Sequence, residues 1–302
     1  MKYNIILHIT TACNYNCSYC DVVKDGRKLS HHIREWVVAF GERNTEHIDT
    51  FKFFWWEPLL AYKDIEYLCD ELPFLGRYQI VTNTTLLNPS IWEYFHKFFK
   101  IIFLSIDTEH DFEYEKVHTF LMHFDLREKA YFNLIISPGS ERASLDQFMR
   151  LYDYGYRGFN ILPVYFTKPW SPVNLGELAT IMKDILDLAH KDATLKLYGF
   201  QENKWYDTSL VNHSLFIDID GEVYYSDMVS TFSGRVLKES LHLWNIATLH
   251  LGNIDDTIIE KHKKIISDLE KSLYSKTPWQ RQLHKMMDYF SLYLNRTNEQ
   301  SV

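Results

Sequence analysis

Short apolar runs alternate with amphipathic ones along most of this 302-residue chain, and that rhythm restricts the fold more than any other feature. The runs Tyr3–Ile9, Thr50–Trp55, Arg77–Thr82, Ile101–Ile106, Tyr131–Ile136 and Gly158–Val164 are rich in Ile, Val, Phe and Tyr. Several are apolar throughout, as strands buried on both faces of a parallel sheet should be. Helical patterns follow them at Leu29–Phe40, Ile65–Leu72, Ile91–Phe99, Tyr114–Leu126, Leu145–Tyr154 and Glu177–His190. In the fifth, Leu145, Phe148, Met149 and Tyr152 share a face and Ser144 is the expected N-cap; in the sixth, Leu178, Ile181, Met182, Ile185 and Ala189 recur at the same spacing. Six β/α units with right-handed crossovers predict an α/β fold. They are too few to close an eight-fold barrel. The expectation is an open parallel sheet forming a partial, TIM-like (β/α)6 barrel, with the site at the C-terminal ends of the strands.

After Lys191 the rhythm breaks. Leu215–Ile219, the Asp220-Gly221 pair and Val223–Tyr225 read as a β-hairpin, and Thr257–Leu273 and Trp279–Leu294 as helices. Lys261, Lys263, Lys264 and Lys271 read as a solvated helix face. The domain expectation is a barrel over residues 1–195 and a hairpin-plus-helix extension over 196–302. A formal net charge of −8 argues against nucleic acid as partner. No apolar run has the length of a membrane span, and Met1–Ile9 is too short for a signal peptide. Of four cysteines, three are clustered, so a disulfide framework is not expected and a reducing cytoplasm is.

Those three are Cys13, Cys17 and Cys20, in Cys-Asn-Tyr-Asn-Cys-Ser-Tyr-Cys directly after the first strand. Three close thiolates make a soft metal site suited to zinc or an iron–sulfur cluster. Zinc would want a fourth ligand, for which His8, His31 and His32 are near in sequence. A cubane cluster would be left with one open iron. Three buried structural cysteines are a further alternative, against which the polar Asn, Tyr and Ser between them stand. Cys69, inside a helical pattern, reads as core.

The cysteine spacing, with Tyr19 before the third cysteine, resembles the radical S-adenosylmethionine (radical SAM) superfamily. Further motifs share the resemblance. Trp55-Trp56-Glu57-Pro58 stands where the family has Gly-Gly-Glu-Pro, and Thr82-Asn83-Thr84-Thr85-Leu86-Leu87 where it has Thr-Asn-Gly-Thr-Leu-Leu. Ser105-Ile106-Asp107 is similar to its Ser-Ile-Asp, and Ile161-Leu162-Pro163 ends the sixth strand where the family surrounds the adenine. The family's glycines are thus replaced by Trp55, Trp56 and Thr84, so the tryptophans must point away from the cofactor or reshape its pocket. The resemblance implies one 4Fe–4S cluster on Cys13, Cys17 and Cys20, with S-adenosylmethionine held around Tyr19, Trp56, Glu57, Asn83, Ser105, Asp107 and Leu162. From the residues alone, Glu57 could equally be a solvated strand-end carboxylate, Asn83 a turn residue and the tryptophans core packing.

Leu215–Tyr225 and Leu251-Gly252-Asn253-Ile254-Asp255 resemble the SPASM or twitch extension of peptide-modifying members. There, cysteines bind auxiliary clusters; here Ser226 stands at the expected position and no cysteine follows Cys69. The expected activity is hydrogen abstraction after reductive cleavage of S-adenosylmethionine at a single cluster, most often to crosslink or oxidise a ribosomally made peptide. The absent auxiliary clusters speak against outcomes that need a second metal site, and the position of Cys69, the sole thiol outside the motif, in a helical pattern away from the strand ends speaks against epimerisation. An electron donor such as flavodoxin or ferredoxin is implied, without a membrane partner. No peptide-binding module precedes Tyr3, so a peptide would dock elsewhere or through a separate recognition partner. The alternatives are a radical SAM enzyme acting on a sugar or nucleoside, and a non-catalytic, metal-stabilised binding protein. Twenty tyrosines and fourteen histidines leave no general acid or base singled out.

Overall fold

The computed structural model describes residues 2–20, 22–72, 74, 76–164, 168–198, 214–225 and 238–248, with separate positions between 261 and 290. Their elements, in chain order, are β1 (Tyr3–Leu7), α1 (His31–Arg43), β2 (Ile48–Phe53), α2 (Tyr62–Glu71), β3 (Tyr78–Thr82) and α3 (Pro89–Phe98). Then come β4 (Phe99–Ile106), α4 (Tyr114–His123), β5 (Ala130–Ile136), α5 (Glu141–Asp153), β6 (Gly158–Pro163), α6 (Pro172–Lys191) and β7 (Lys196–Leu197). The series ends with β8 (Ser214–Ile217), β9 (Glu222–Tyr224), α7 (Lys238–Leu241) and β10 (His242–Asn245). All six predicted β/α units form. Strands β1 to β6 are neighbours in chain order, the singly wound topology of a β/α barrel, and the sheet is mostly parallel and open.

The chain divides into two compact units, Met1–Phe103 with Leu210–Asp268 and Leu104–Ser209 with Leu269–Val302, and the boundary runs through β4. In the first unit β1 pairs in parallel with β2, and β2 with β3. All five residues of β3 are buried, which is why its sequence shows no alternation. Helix α1 is capped by Ser30, whose side chain accepts from Ile33 N, and buries Ile33, Val37, Phe40 and Gly41. A Cβ on Gly41 would stand 2.4 Å from Leu72 Cδ2, so any side chain there would have to displace that methyl for α1 to lie this close. In the second unit β5 pairs with β6 and β6 with β7, all in parallel.

Two expectations need correction. Helix α5 begins at Glu141 rather than at a Ser144 cap; Ser144 is fully buried within it, and Ser140 precedes it without a capping side-chain bond. Its inward face is accordingly Glu141, Ser144, Phe148 and Leu151, while Met149 is exposed. Polar residues at inward positions hid that face from a hydrophobicity reading. Helix α6 does bury Leu178, Ile181, Met182 and Ile185.

The hairpin forms as β8 and β9, with Gly221 at φ +79° in its turn. Its placement was not foreseen: β8 joins the sheet parallel to β1, from Asn4 opposite Ser214 to Leu7 opposite Ile217, and β10 extends β9. Ser226 and Leu251–Asp255 lie outside the described residues. Of the two predicted C-terminal helices, positions 261, 262, 264, 265, 268, 281–283, 285–287, 289 and 290 are described and helical, and the rest lie outside them.

Candidate functional site

In the first unit the site grows out of the turn after β1. The cysteine loop leaves β1 and returns to it through a narrow stem: Thr11 N donates to Arg27 O at 2.9 Å, Leu29 N to Ile9 O at 3.1 Å, and Thr10 bridges Lys28. The Thr10 hydroxyl donates to Arg27 O at 2.9 Å, and Arg27 N to the Thr11 hydroxyl at 2.6 Å. Within the loop Cys20 N donates to Cys17 O, and Lys24 Nζ to Tyr15 O at 2.6 Å. Cys13, Cys17 and Cys20 form no disulfide and are half-buried, and Tyr19 is half-buried too. Burial raises the Cys13 thiol pKa, against a bond from Tyr15 N–H and the charge of Lys24.

The donor set distinguishes two of the metals. A tetrahedral zinc with Zn–S bonds near 2.3 Å brings its sulfurs to roughly 3.8 Å from one another. The three sulfurs here do not all fall within 4.8 Å of each other, and none of His8, His31 or His32 forms a ligand group with them among the described residues. Three cysteine thiolates are the donor set that leaves one iron of a cubane cluster open. His31 and His32 are exposed on α1 beside Glu35, and His8 is turned to Asp218.

The three residues in the family's glycine positions have a left-handed backbone: φ is +71° at Trp55, +51° at Trp56 and +70° at Thr84. A side chain in that region costs roughly 1–2 kcal/mol. Glycine adopts that backbone without the cost. Trp56 recovers part of that cost. Its Nε1 donates to Val23 O at 2.8 Å, and its indole lies flat on the His8 ring at 3.8 Å and 2°. Such a bond and stack are each worth about 0.5–1.5 kcal/mol. Trp55 is half-buried against Phe54 and Trp56.

Glu57 is fully buried rather than solvated. Its Oε1 accepts from Leu59 N at 3.0 Å and from the Thr82 hydroxyl at 2.9 Å, and its Oε2 from Asn83 N at 2.6 Å. Burial pushes its pKa up to about 7, against those three donors. Its own backbone N–H donates to Ala12 O, so Glu57 ties the tryptophan turn and the end of β3 together by its carboxylate and joins them to the cysteine loop by its backbone. Asn83 adds a second tie. Its Nδ2 donates to Asn14 Oδ1 at 2.8 Å, while Asn14 Nδ2 donates to the Thr85 hydroxyl at 2.7 Å.

His8 and Asp218 join this frame without any motif to announce them. His8 is 2% exposed, and its Nδ1 lies 2.9 Å from Asp218 Oδ1. Burial lowers its pKa, against the pull of Asp218, so the ring is neutral at pH 7 and donates Nδ1–H. A buried Asp in a turn is the sequence signal for this pair, but its partner is 210 residues away.

In the second unit Ser105 is half-buried on β4, and Asp107 follows the strand end, 8% exposed. Asp107 Oδ1 accepts from Glu109 N at 2.8 Å, His110 N at 2.9 Å and His110 Nδ1 at 3.0 Å. Gln147 Nε2 donates to Asp107 O at 2.7 Å. A cavity of about 760 Å³ opens beyond them, lined by Thr108, His110, Phe112, Tyr114, Gln147 and Arg150 among others. Leu162 is half-buried on β6, opposite Ile135.

The sequence profile of the Radical SAM superfamily matches residues 7–165, more than half of the chain. The chain belongs to the radical SAM superfamily. Members are enzymes that use a 4Fe–4S cluster and S-adenosylmethionine. Among solved structures, the fold is similar to anSMEcpe with bound AdoMet, with a TM-score of 0.67 and 15% identity over 86% of this chain and 82% of that one. It is similar also to anSMEcpe with bound AdoMet and the Cp18Cys peptide, with a TM-score of 0.66 and 15% identity over 86% and 82% of the two chains. A third is Streptococcus suis SuiB bound to precursor peptide SuiA, with a TM-score of 0.62 and 15% identity over 85% of this chain and 66% of that one. No curated protein compared with the sequence matches it. Among the described residues no helix is long and apolar enough to cross a membrane.

Proposed function

We propose that this radical SAM enzyme modifies a ribosomally made peptide, by crosslinking or oxidation, with one 4Fe–4S cluster. The observation that carries the catalytic half is the half-buried loop after β1 that bears Cys13, Cys17 and Cys20, tied through Glu57 N–H to the left-handed turn at Trp55 and Trp56. The peptide half is supported by the similarity to SuiB bound to precursor peptide SuiA and to anSMEcpe bound to the Cp18Cys peptide.

Cys13, Cys17 and Cys20 would hold the cluster. Tyr19, Trp56, Glu57, Asn83, Ser105, Asp107 and Leu162 are the residues assigned to S-adenosylmethionine. When bound, the cluster and S-adenosylmethionine supply one-electron reductive cleavage to methionine and a 5′-deoxyadenosyl radical able to take a hydrogen atom from a substrate carbon. The protein's own part is positioning and the exclusion of water. Glu57 acts through others: its three acceptor bonds fix the turns around the cofactor site. Asp107 shapes the turn after β4 in the same way, through two backbone N–H groups.

The test is anaerobic purification, reconstitution with iron and sulfide, reduction, and measurement of 5′-deoxyadenosine from S-adenosylmethionine, with and without candidate precursor peptides. Cysteine-dependent product that Cys17→Ala abolishes is the expected result, with a mass change on one peptide. Failure of the chain to bind iron, with zinc filling the site, would overturn the reading.

A further inference from the structure

The side chain that replaces the family's second glycine is built into the frame of the cysteine loop. Trp56 reaches both flanks of that loop. Its Nε1 donates to the carbonyl of Val23, three residues after Cys20, at 2.8 Å. Its indole face covers His8, five residues before Cys13, at 3.8 Å and nearly coplanar. His8 is fixed from its other side by the hairpin. Its N–H donates to Ile217 O at 2.9 Å, its Nδ1 donates to Asp218 Oδ1 at 2.9 Å, and Phe216 packs on the ring at 5.8 Å. Asp218 is in turn held by Ile219 N–H at 2.8 Å. An unbroken series of contacts thus runs from the β8–β9 turn through His8 and Trp56 to Val23.

We propose that Asp218, His8 and Trp56 form one positioning unit that clamps the two flanks of the cysteine loop and so sets the environment of the cluster. This rests on the reading of that loop as a cluster site. The C-terminal hairpin, which carries no cysteine, thereby serves the cluster loop as a brace.

Two features separate this from ordinary core packing. A tryptophan needed only for volume would not sit at φ +51°, directly after another at +71°, where each costs roughly 1–2 kcal/mol. Both polar ends of the series are also matched: the indole N–H to a carbonyl, and the imidazole N–H to a carboxyl that is itself 5% exposed. The other tie between hairpin and loop, Arg27 to Asp220 at 2.9 Å, has both partners about half exposed and contributes little. Breaking His8–Asp218 instead leaves a buried polar group unanswered.

The experiment compares wild type with Trp56→Phe, Trp56→Gly, Asp218→Asn and Asp218→Leu. Phenylalanine keeps the stack and loses the bond to Val23; glycine restores the family residue and loses both. Asparagine keeps an acceptor for His8, and leucine does not. Two readouts need no turnover. One is tryptic cleavage after Lys24 in the cluster-free chain, which reports the loop itself. The other is the rate at which the reconstituted cluster is lost to a chelator, with the electron paramagnetic resonance spectrum of the reduced cluster. Cleavage and cluster loss should rise several-fold in Trp56→Phe and about tenfold or more in Trp56→Gly and Asp218→Leu. Asp218→Asn should stay near wild type, and the spectrum should shift in step with the loss rates. If the glycine or leucine variant does not fold, Trp56→Phe against Asp218→Asn decides the matter. Wild-type cleavage, loss rates and spectra in the folded Trp56 and Asp218 variants would overturn the proposal. A wild-type chain that binds no iron but shows the cleavage pattern would overturn the cluster reading and leave the clamp as a feature of the loop alone, so the two failures are distinguishable.

Discussion

Replacing Glu57 by Gln isolates a carboxyl group that the fold keeps entirely from water. Burial pushes its pKa from 4.5 up to about 7, although Asn83 N–H, Leu59 N–H and the Thr82 hydroxyl all favour the charged form. In the unfolded chain the group ionises near its ordinary value. Between pH 4.5 and 7 the native state therefore holds a proton that the unfolded state has released. Stability must fall as pH rises through that window and stay reduced above it. The displacement corresponds to about 3 kcal/mol. Glutamine does not titrate, so it lacks this slope. Its amide, however, turns N–H groups toward a shell made of three donors, which leaves one of them unanswered at about 1–3 kcal/mol. Wild type should exceed Glu57→Gln in stability by that amount near pH 4.5, and the gap should shrink by about 3 kcal/mol, or reverse, by about pH 8. Urea unfolding of the two cluster-free chains under reducing, oxygen-free conditions measures it, because titrations elsewhere cancel in the difference. A gap constant with pH to within about 0.5 kcal/mol would refute the argument that desolvation governs Glu57.

Three further outcomes follow from local geometry. Asp125, exposed at φ +51° just past α4, should give way to glycine with a gain of about 0.5–1 kcal/mol, seen as a higher thermal midpoint. Gly221→Ala places a Cβ 2.9 Å from Ile33 Cδ1 and 3.2 Å from Ile246 Cγ2 at φ +79°, and should destabilise by about 1–3 kcal/mol. Gly26→Ala, at φ +75° with open space around it, should lose only the conformational part, so equal losses would count against the steric reasoning. Asp107→Ala removes the acceptor shared by Glu109 N, His110 N and His110 Nδ1, and should speed hydrogen exchange at those two amides by about tenfold or more; unchanged exchange would show that the turn stands without it.

The β/α units were legible because a buried parallel strand and an amphipathic helix each write their own periodicity into a few neighbouring residues. Errors were confined to places where burial and polarity part company. In α5 the inward Glu141 and Ser144 carry no hydrophobic signal, so the helix start and its face were both misplaced. The cysteine loop was equally legible, since its chemistry lies within eight consecutive residues. What the glycine replacements meant was not. Only the φ angles show that Trp55, Trp56 and Thr84 adopt a backbone that glycine takes freely.

Local sequence thus determined the element order, the fold class and the three thiolates, because each depends on residues close in the chain. The tertiary structure alone decided that β8 lies beside β1, that Glu57 is buried among three donors, and that Asp218 holds His8 under Trp56. Those contacts join residues tens to hundreds of positions apart, and their strength comes from exclusion of water, which no single segment can produce before the sheet has assembled.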